Sequence, residues 1–521
     1  LANLLLGNYT TLSQSNGRFY GSFHFWQMEL FGQDSWRVSS KLTLEFGLRW
    51  SYLGPTSTYG TFLQNYFDPT AYDPTKAVTI ATSGAHPGSI VPNSGNLSNG
   101  MIQEGSGIPA GFAEHRWNNL GPRFGFAYDP AGDGKTAIRG GFGIFYERIR
   151  QNQNSFDGLG NPPLFYTPTL YGGKVDAVSP DLVSSGTRFT STVRAFNKEG
   201  KIPDTYSWSL GVQRQLPAQI SLEVAYVGNA ARHLQYTYDL NALPLGSTTN
   251  TALLTNANGV QDAIRPFKGY NSILYTDYGA NSSYHALQTR AFRRFGSFSI
   301  NTDFTWARAM DVLDNDTGQI DFWQNRQFNK GPSGFDRKFV FNTNYVYTLP
   351  TPKSHGMAAK AILGGWEVTG ITRFWSGFPL PVTSNGNQGT LTGTVRADFI
   401  GGSTAGTGSV NGIPLWFNPL AFGRPLDGTT GNTGRNILRG PGTNNWDFSL
   451  FKNTNIGEHI RTQLRVESFN LFNHTQFSGV NTGINGSAPG APITSGTQGT
   501  SGLVNGTRDP RTIQLGLKLY F

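Results

Sequence analysis

Few residues in this chain have the types and spacing for chemistry. Gly132-Asp133-Gly134-Lys135-Thr136 has the ending of a phosphate-binding loop, in which backbone N–H groups cradle phosphate oxygens. The full pattern needs a glycine five residues before Gly134, and Asp129 stands there, so an Asp-Gly hairpin turn explains the segment better. Gly140-Gly141-Phe142-Gly143 lacks the next glycine of a dinucleotide fingerprint; within a strand, these residues read as small inward positions that leave room inside. Asp311, Asp314, Asp316 and Asp321 form the densest acidic cluster, and such hard oxygen ligands could hold Ca²⁺. EF-hand spacing fails at Gly318 and at the distal glutamate, which leaves a solvated loop as the competing explanation. The eight histidines show neither H-x-x-x-H nor H-E-x-x-H spacing, and no Ser/His/Asp or Cys/His arrangement supports a nucleophile. The sequence therefore predicts no catalytic residue, no metal centre, no cofactor and no enzyme. Glu45, Arg49, Arg139, Arg465 and Glu467 fall on polar strand faces, as a paired network or as ligand contacts, and the ligand-binding residues stay unassigned.

The elements that carry these residues are strands. Leu42, Leu44, Phe46, Leu48, Trp50 and Tyr52 share one parity, and Thr43, Glu45, Gly47, Arg49 and Ser51 the other, so one face is apolar and one polar. The same alternation recurs in Lys135–Ile149, Gln219–Val227, Ser297–Ala309 and Arg511–Phe521. Taken in order, the segments are Phe19–Val38, Lys41–Gly54, Pro122–Pro130, Lys135–Ile149, Thr205–Leu216, Gln219–Val227 and Tyr284–Arg294. Ser297–Ala309, Phe339–Leu349, Leu363–Trp375, Trp446–Asn453, Ile460–Phe472 and Arg511–Phe521 complete a count of thirteen strands. Short turns at Ser39-Ser40, Ala131–Gly134, Pro217-Ala218, Phe295-Gly296 and Asn455–Glu458 alternate with long connections of low periodicity rich in Gly, Ser, Asn, Thr and Pro.

Composition fits a wall rather than a thick core. The 521 residues are 37% hydrophobic and 14% charged, with 66 Gly and 13% aromatics, and no linker divides them into domains. No apolar run reaches the length of a transmembrane helix, whereas strands of about 9–11 residues cross a bilayer when tilted. The absence of Cys excludes disulfides and thiolate metal sites and suits an oxidising compartment. The charge of +9 is spread singly, without a basic helix or nucleic-acid module, so anionic lipid headgroups are the expected counterpart and nucleic acid is not. Trp36, Trp50, Trp208, Trp306 and Trp446 near strand ends fit the aromatic girdles of a membrane wall. The expected fold is all-β, a transmembrane antiparallel β-barrel, with long loops extracellular and the carboxy terminus periplasmic. The odd strand count and the opening Leu-Ala-Asn, without initiator Met or signal segment, read as a carboxy-terminal fragment of one barrel domain spanning 1–521.

Several blocks carry a more specific likeness. The ending places Gly516, Leu519 and Phe521 at the spacing of the carboxy-terminal assembly signal of bacterial outer-membrane barrels, which it resembles except that Leu515 replaces the usual polar residue. Phe31-Gly32-Gln33-Asp34-Ser35-Trp36-Arg37-Val38, Asn119-Leu120-Gly121-Pro122-Arg123-Phe124-Gly125-Phe126-Ala127-Tyr128, Gly434-Arg435-Asn436 with Arg439-Gly440-Pro441-Gly442, and Arg465-Val466-Glu467-Ser468-Phe469-Asn470-Leu471-Phe472-Asn473-His474 stand in order along the chain. Together these blocks resemble the barrel of Oar-like TonB-dependent receptors. The resemblance implies a 22-stranded barrel, a plug and a TonB-contacting segment in amino-terminal parts that this sequence lacks. It also implies uptake of an unknown ligand, whether oligosaccharide, peptide or metal chelate, and assembly by the barrel-assembly machinery. A passive porin or structural surface protein is the alternative function, and a soluble β-sandwich or carbohydrate-binding enzyme the alternative class.

Overall fold

The computed structural model describes residues 1–521 apart from 1, 61, 150–157, 316–317, 321, 323, 352–355, 391–392 and 457–458. Thirteen long strands, each paired antiparallel with the next, form the main sheet: β1 (Gln27–Arg37), β2 (Leu42–Leu53), β3 (Asn119–Tyr128), β4 (Thr136–Tyr146), β5 (Asp204–Leu216) and β6 (Ile220–Asp239). The ladder continues through β7 (Tyr270–Phe295), β8 (Phe298–Asp311), β9 (Phe339–Thr348), β10 (Trp366–Trp375), β11 (Thr443–Ile456), β12 (Ile460–Phe469) and β13 (Thr512–Tyr520). Among the described residues β1 pairs only with β2 and β13 only with β12, so each leaves one edge open. Twelve antiparallel steps separate them, and β1 and β13 therefore run in the same direction.

Register turns the sequence alternation into a two-faced wall. Opposed residues of an antiparallel pair point to the same side. Gln33 opposes Gly47, which opposes Arg123, and the row continues through Gly143, Ser207, Asn229, Tyr284 and Ala309. Followed through the remaining pairings, that side also carries Asp303, Asn342, Arg373, Asp447, Glu467 and Gln514. The other side carries Phe46, Phe124, Phe142, Leu210, Phe304 and Phe341, and the girdle residues Trp36, Trp50, Trp208, Trp306 and Trp446 all share it. We call the polar side inward and the apolar side outward. Leu515 and Leu517 are 72% and 73% exposed, a placement that water would penalise and lipid would not.

Several boundaries differ from the sequence expectation. The segment expected to stop at Val227 continues to Asp239, and the one expected to begin at Tyr284 starts at Tyr270. A register shift between Ala231 and Gln235, with His233 at φ 54°, breaks the parity there. Leu363 ends a helix, Met357–Leu363, and β10 begins at Trp366. The first segment is split, because Ser22–His24 pairs with Ser57–Tyr59 before β1 starts. Gly457 and Glu458 of the last short turn lie outside the described residues.

The long connections are not featureless. They fold into a cap on one end of the wall. In its first lobe Ser191–Phe196 pairs in parallel with the upper part of β7 and meets Asn65–Phe67, which pairs with Met101–Gln103. Phe67, Val193, Ala195, Tyr270 and Ile273 form one core there, and Leu53, Tyr66, Phe112, Phe196 and Tyr278 belong to another. A second lobe joins residues 376–442 to 470–511 around Val382, Phe417, Phe422, Ile484 and Ile493. The lobes meet backbone to backbone, with Thr248 N–H donating to Gly389 O at 2.9 Å. A Cβ on Gly389 would fall 2.5 Å from Gly246 Cα, so only glycine permits this approach.

Candidate functional site

The inward face holds the polar chemistry of the wall. Arg49 pairs with Glu29 at 2.9 Å and Arg373 with Asp447 at 3.1 Å, each between neighbouring strands, while Arg290 stands 3.7 Å from Asp303. A cavity of about 960 Å³ lies against this face across β1 to β7. Its lining includes Glu45, Arg123, Arg139, Asn229 and Tyr284, over a floor where Gly47, Gly125, Gly141 and Gly143 lack side chains. Arg123 lies over the Phe145 ring at 4.8 Å and Arg139 donates to Gln213 Oε1 at 3.4 Å. The arrangement can line a polar passage with hydrogen-bond donors and fixed charges of both signs.

The five charged residues expected on polar strand faces are all inward, but they do not form one network. Arg49 takes Glu29, Arg465 donates to Gln463 Oε1 at 2.7 Å and lies over Phe451, and the two are far apart in the ladder. Sequence reasoning missed Glu29, Asp303 and Asp447 as partners, because pairing between strands depends on register. Of the three glycines read as inward, Gly141 and Gly143 are, whereas Gly140 is outward and the Phe126 ring fills its place, 2.4 Å from where a Cβ would stand.

The phosphate-loop ending is a hairpin turn between β3 and β4. Asp129 accepts from Gly132 N–H at 2.9 Å and Gly134 N–H at 2.8 Å, and both glycines have positive φ. These N–H groups hold the Asp129 carboxylate below its ordinary range, so the place a phosphate would take is filled by the protein's own anion.

The acidic cluster also has a local partner. Arg435 pairs with Asp311 and, at 2.7 Å, with Asp314; Asp316 and Asp321 lie outside the described residues. Four residues on, Arg439 pairs with Asp336, a fully buried carboxylate that also accepts Ala309 N–H at 2.6 Å. Asn436, at φ 55°, donates to Pro332 O at 2.7 Å. The Gly434–Gly442 block is thus a clasp that fastens the second cap lobe to the top of β8. The block after β12 does similar work, since Asn470 Oδ1 accepts His474 N–H and Asn473 Oδ1 accepts Arg511 N–H, both at 3.0 Å, which sets the entry into β13.

Cap lobes are held by buried polar ties as well. Glu104 accepts from Thr58 and Gly111 N–H, and Arg265 donates to Asp262 at 2.7 Å and to Asn241 O at 2.8 Å. Lys198 reaches Asp68 at 2.8 Å. Burial works to raise the Asp68 carboxyl, but Lys198 and Thr70 outweigh it and hold the group below the ordinary carboxylate range. On β13, Gly516 opposes Arg465 on the inward side, while Leu519 and Phe521 have the outward parity and are exposed.

Comparison with known proteins gives this geometry its context. A family described as the outer membrane beta barrel domain matches residues 1–514. No curated protein matches the chain closely enough to count as a relative. Among solved structures it is similar to the outer membrane transporter YddB from Escherichia coli, at 10% identity and TM-score 0.44, over 95% of this chain and 54% of that one. It is also similar to the ferripyoverdine receptor of the outer membrane of Pseudomonas aeruginosa, at 9% identity and TM-score 0.41, over 96% of this chain and 39% of that one. A third is the ferric-catecholate import receptor Fiu from K12 E. coli, at 11% identity and TM-score 0.38, over 95% and 44%. The chain spans about half the length of these proteins, or less. A wall with a predominantly polar inward face and an exposed apolar outward face, matched by the family over nearly all its length, belongs to the outer membrane beta-barrel domain family.

Proposed function

We propose that this chain is the carboxy-terminal part of the barrel of a TonB-dependent receptor of the Oar-like type, which takes up a ligand through its polar interior. The observation that carries the reading is the predominantly polar character of the inward side across thirteen strands, with a recess of about 960 Å³ on that side. The open edges of β1 and β13 support a wall completed by further strands. Because these edges run in the same direction, direct closure would be parallel, whereas an odd number of added strands closes the sheet antiparallel throughout. In this reading the cap is extracellular, the short turns and Phe521 are periplasmic, and Gly516, Leu519 and Phe521 form the signal read by the barrel-assembly machinery. Energy comes from the TonB complex through amino-terminal parts, and the ligand is an oligosaccharide, a peptide or a metal chelate bound by the cap and inward face. The test is uptake by cells making the full-length protein, with and without TonB. Ligand accumulation that needs TonB supports the receptor, and equal passage without TonB makes the protein a passive porin.

A further inference from the structure

A cluster near the cap end of the outward face interrupts its apolar character. Trp208, Gly228, His285 and Arg308 form a single row across β5 to β8. The indole of Trp208 lies over Gly228, where a Cβ would fall 2.2 Å from it, and this seats the ring beside the His285 imidazole, centroid to centroid 5.8 Å. The Tyr226 hydroxyl meets His285 Nδ1 at 2.7 Å, which leaves Nε2 without a protein partner among the described residues. Next in the row, Arg308 is exposed and its one hydrogen bond among the described residues runs from Nε to the Met310 thioether at 3.2 Å. Asp204, at the upper end of β5, is buried and held by His233 Nδ1 at 2.6 Å. A guanidinium and an imidazole thus stand on a lipid-facing wall with no carboxylate paired to them among the described residues.

Depth makes this arrangement tolerable. An arginine on the lipid face costs about 2–4 kcal/mol at the midplane but roughly 0–1 kcal/mol near an interface. Arg308 lies three residues from the end of β8, and the exposed Trp306 beside it marks headgroup level. We propose that Arg308 and His285 bind the phosphate of a phosphorylated glycolipid headgroup on the outside of the wall, with Trp208, Tyr226 and Trp306 against its sugar and acyl boundary. The planar fork of Arg308 suits a phosphate, and His285, whose Nδ1 can accept from the Tyr226 hydroxyl, can offer its open Nε2–H as a further donor. The site rests on the proposed reading that the outward face meets lipid and that the cap end is extracellular, and it is independent of ligand uptake through the interior.

The experiment titrates the full-length protein, purified from outer membranes in detergent, with lipid A bearing both phosphates, with dephosphorylated lipid A, and with inorganic phosphate, read by native mass spectrometry. Retention of the phosphorylated lipid is expected, with a loss of about tenfold in affinity for Arg308→Gln, several-fold for His285→Gln, and none for Arg214→Gln, an outward arginine at the short-turn end. Arg308→Lys, which keeps the charge and loses the fork, should fall between, and it serves as the readout if Arg308→Gln does not assemble. Equal retention of dephosphorylated lipid A, unchanged binding in the Arg308 variants, or displacement of the lipid by an equal concentration of inorganic phosphate would overturn the proposal.

Discussion

The wall and the cap are made of the same chain under opposite rules. In the wall, apolar side chains point out and stay exposed, with Leu515 and Leu517 among the extreme cases, and the polar side faces a recess. In the cap, apolar side chains point to each other. Among the described residues, the twelve largest fully buried side chains, Tyr270, Tyr278, Phe417 and Phe422 among them, all lie in the cap or in the extensions of β6 and β7 that enter it. A membrane wall needs no core because lipid solvates one face, whereas a water-exposed cap needs cores of its own. The two parts should therefore fail by different mechanisms.

The largest expected effects are in the cap. Phe422→Ala leaves a cavity in the second lobe and should cost about 3–5 kcal/mol of local stability. Arg439→Ala strands the buried carboxylate of Asp336 and should cost about 3–5 kcal/mol by the same measure. Limited proteolysis of cells making the full-length protein should then cut within 377–444, while heat-modifiable migration of the barrel persists. Loss of the barrel itself in either variant would mean that cap and wall are one cooperative unit.

In the wall, polarity rather than volume should decide. Leu515→Arg places a charge on the outward face and should cost about 2–4 kcal/mol, which impairs recovery in the outer-membrane fraction, while Gln514→Arg on the inward face should be tolerated. Leu515→Trp should assemble at near-normal levels, because lipid accepts a larger amphipathic ring where a packed core would not. Equal loss for the Trp and Arg variants would give the wall the character of the cap.

The wall was legible in the sequence because a period of two needs only neighbouring residues. Segments such as Leu42–Tyr52 and Ile513–Tyr520 alternate cleanly, and each lies within a strand of the wall. The cap was not, because its cores join residues distant in sequence: Phe67 meets Val193 and Tyr270, and Val382 meets Ile484. The upper halves of β6 and β7 were missed for a related reason, since Tyr236, Tyr238 and Tyr278 are buried in the cap and a bulge shifts the parity at Ala231. The inward ion pairs were half visible: Arg49 could be placed on the polar face, but its partner Glu29 required the register of β1 on β2. The clasp residues Arg435 and Arg439 were visible only as part of a family block, since nothing local pairs them with Asp311 and Asp336.

A smaller effect is expected with pH. The Asp68 carboxyl is held below its ordinary value in the folded cap, so its tie to Lys198 is fully present above about pH 4 and is lost as pH falls through the folded pKa. The pair is partly exposed, so Lys198→Ala should cost no more than about 1 kcal/mol at neutral pH and nothing once Asp68 is protonated. Protease nicking near Gly200, compared between variant and parent across pH, measures this difference. A gap that widens on acidification would contradict the assignment.

The most direct measurement of the account is cysteine scanning along β8 in the full-length protein, which is clean in this stretch because the chain has no native Cys. Single cysteines at Ser299, Ile300, Asn301, Thr302, Asp303, Phe304, Thr305 and Trp306 are treated in intact outer membranes with a water-soluble thiol reagent. Labelling is expected at 299, 301, 303 and 305, which share the inward side, and protection at 300, 302 and 304, which face lipid, with 306 intermediate at headgroup level. Labelling that ignores parity, or that favours the apolar positions, would contradict the two-faced wall.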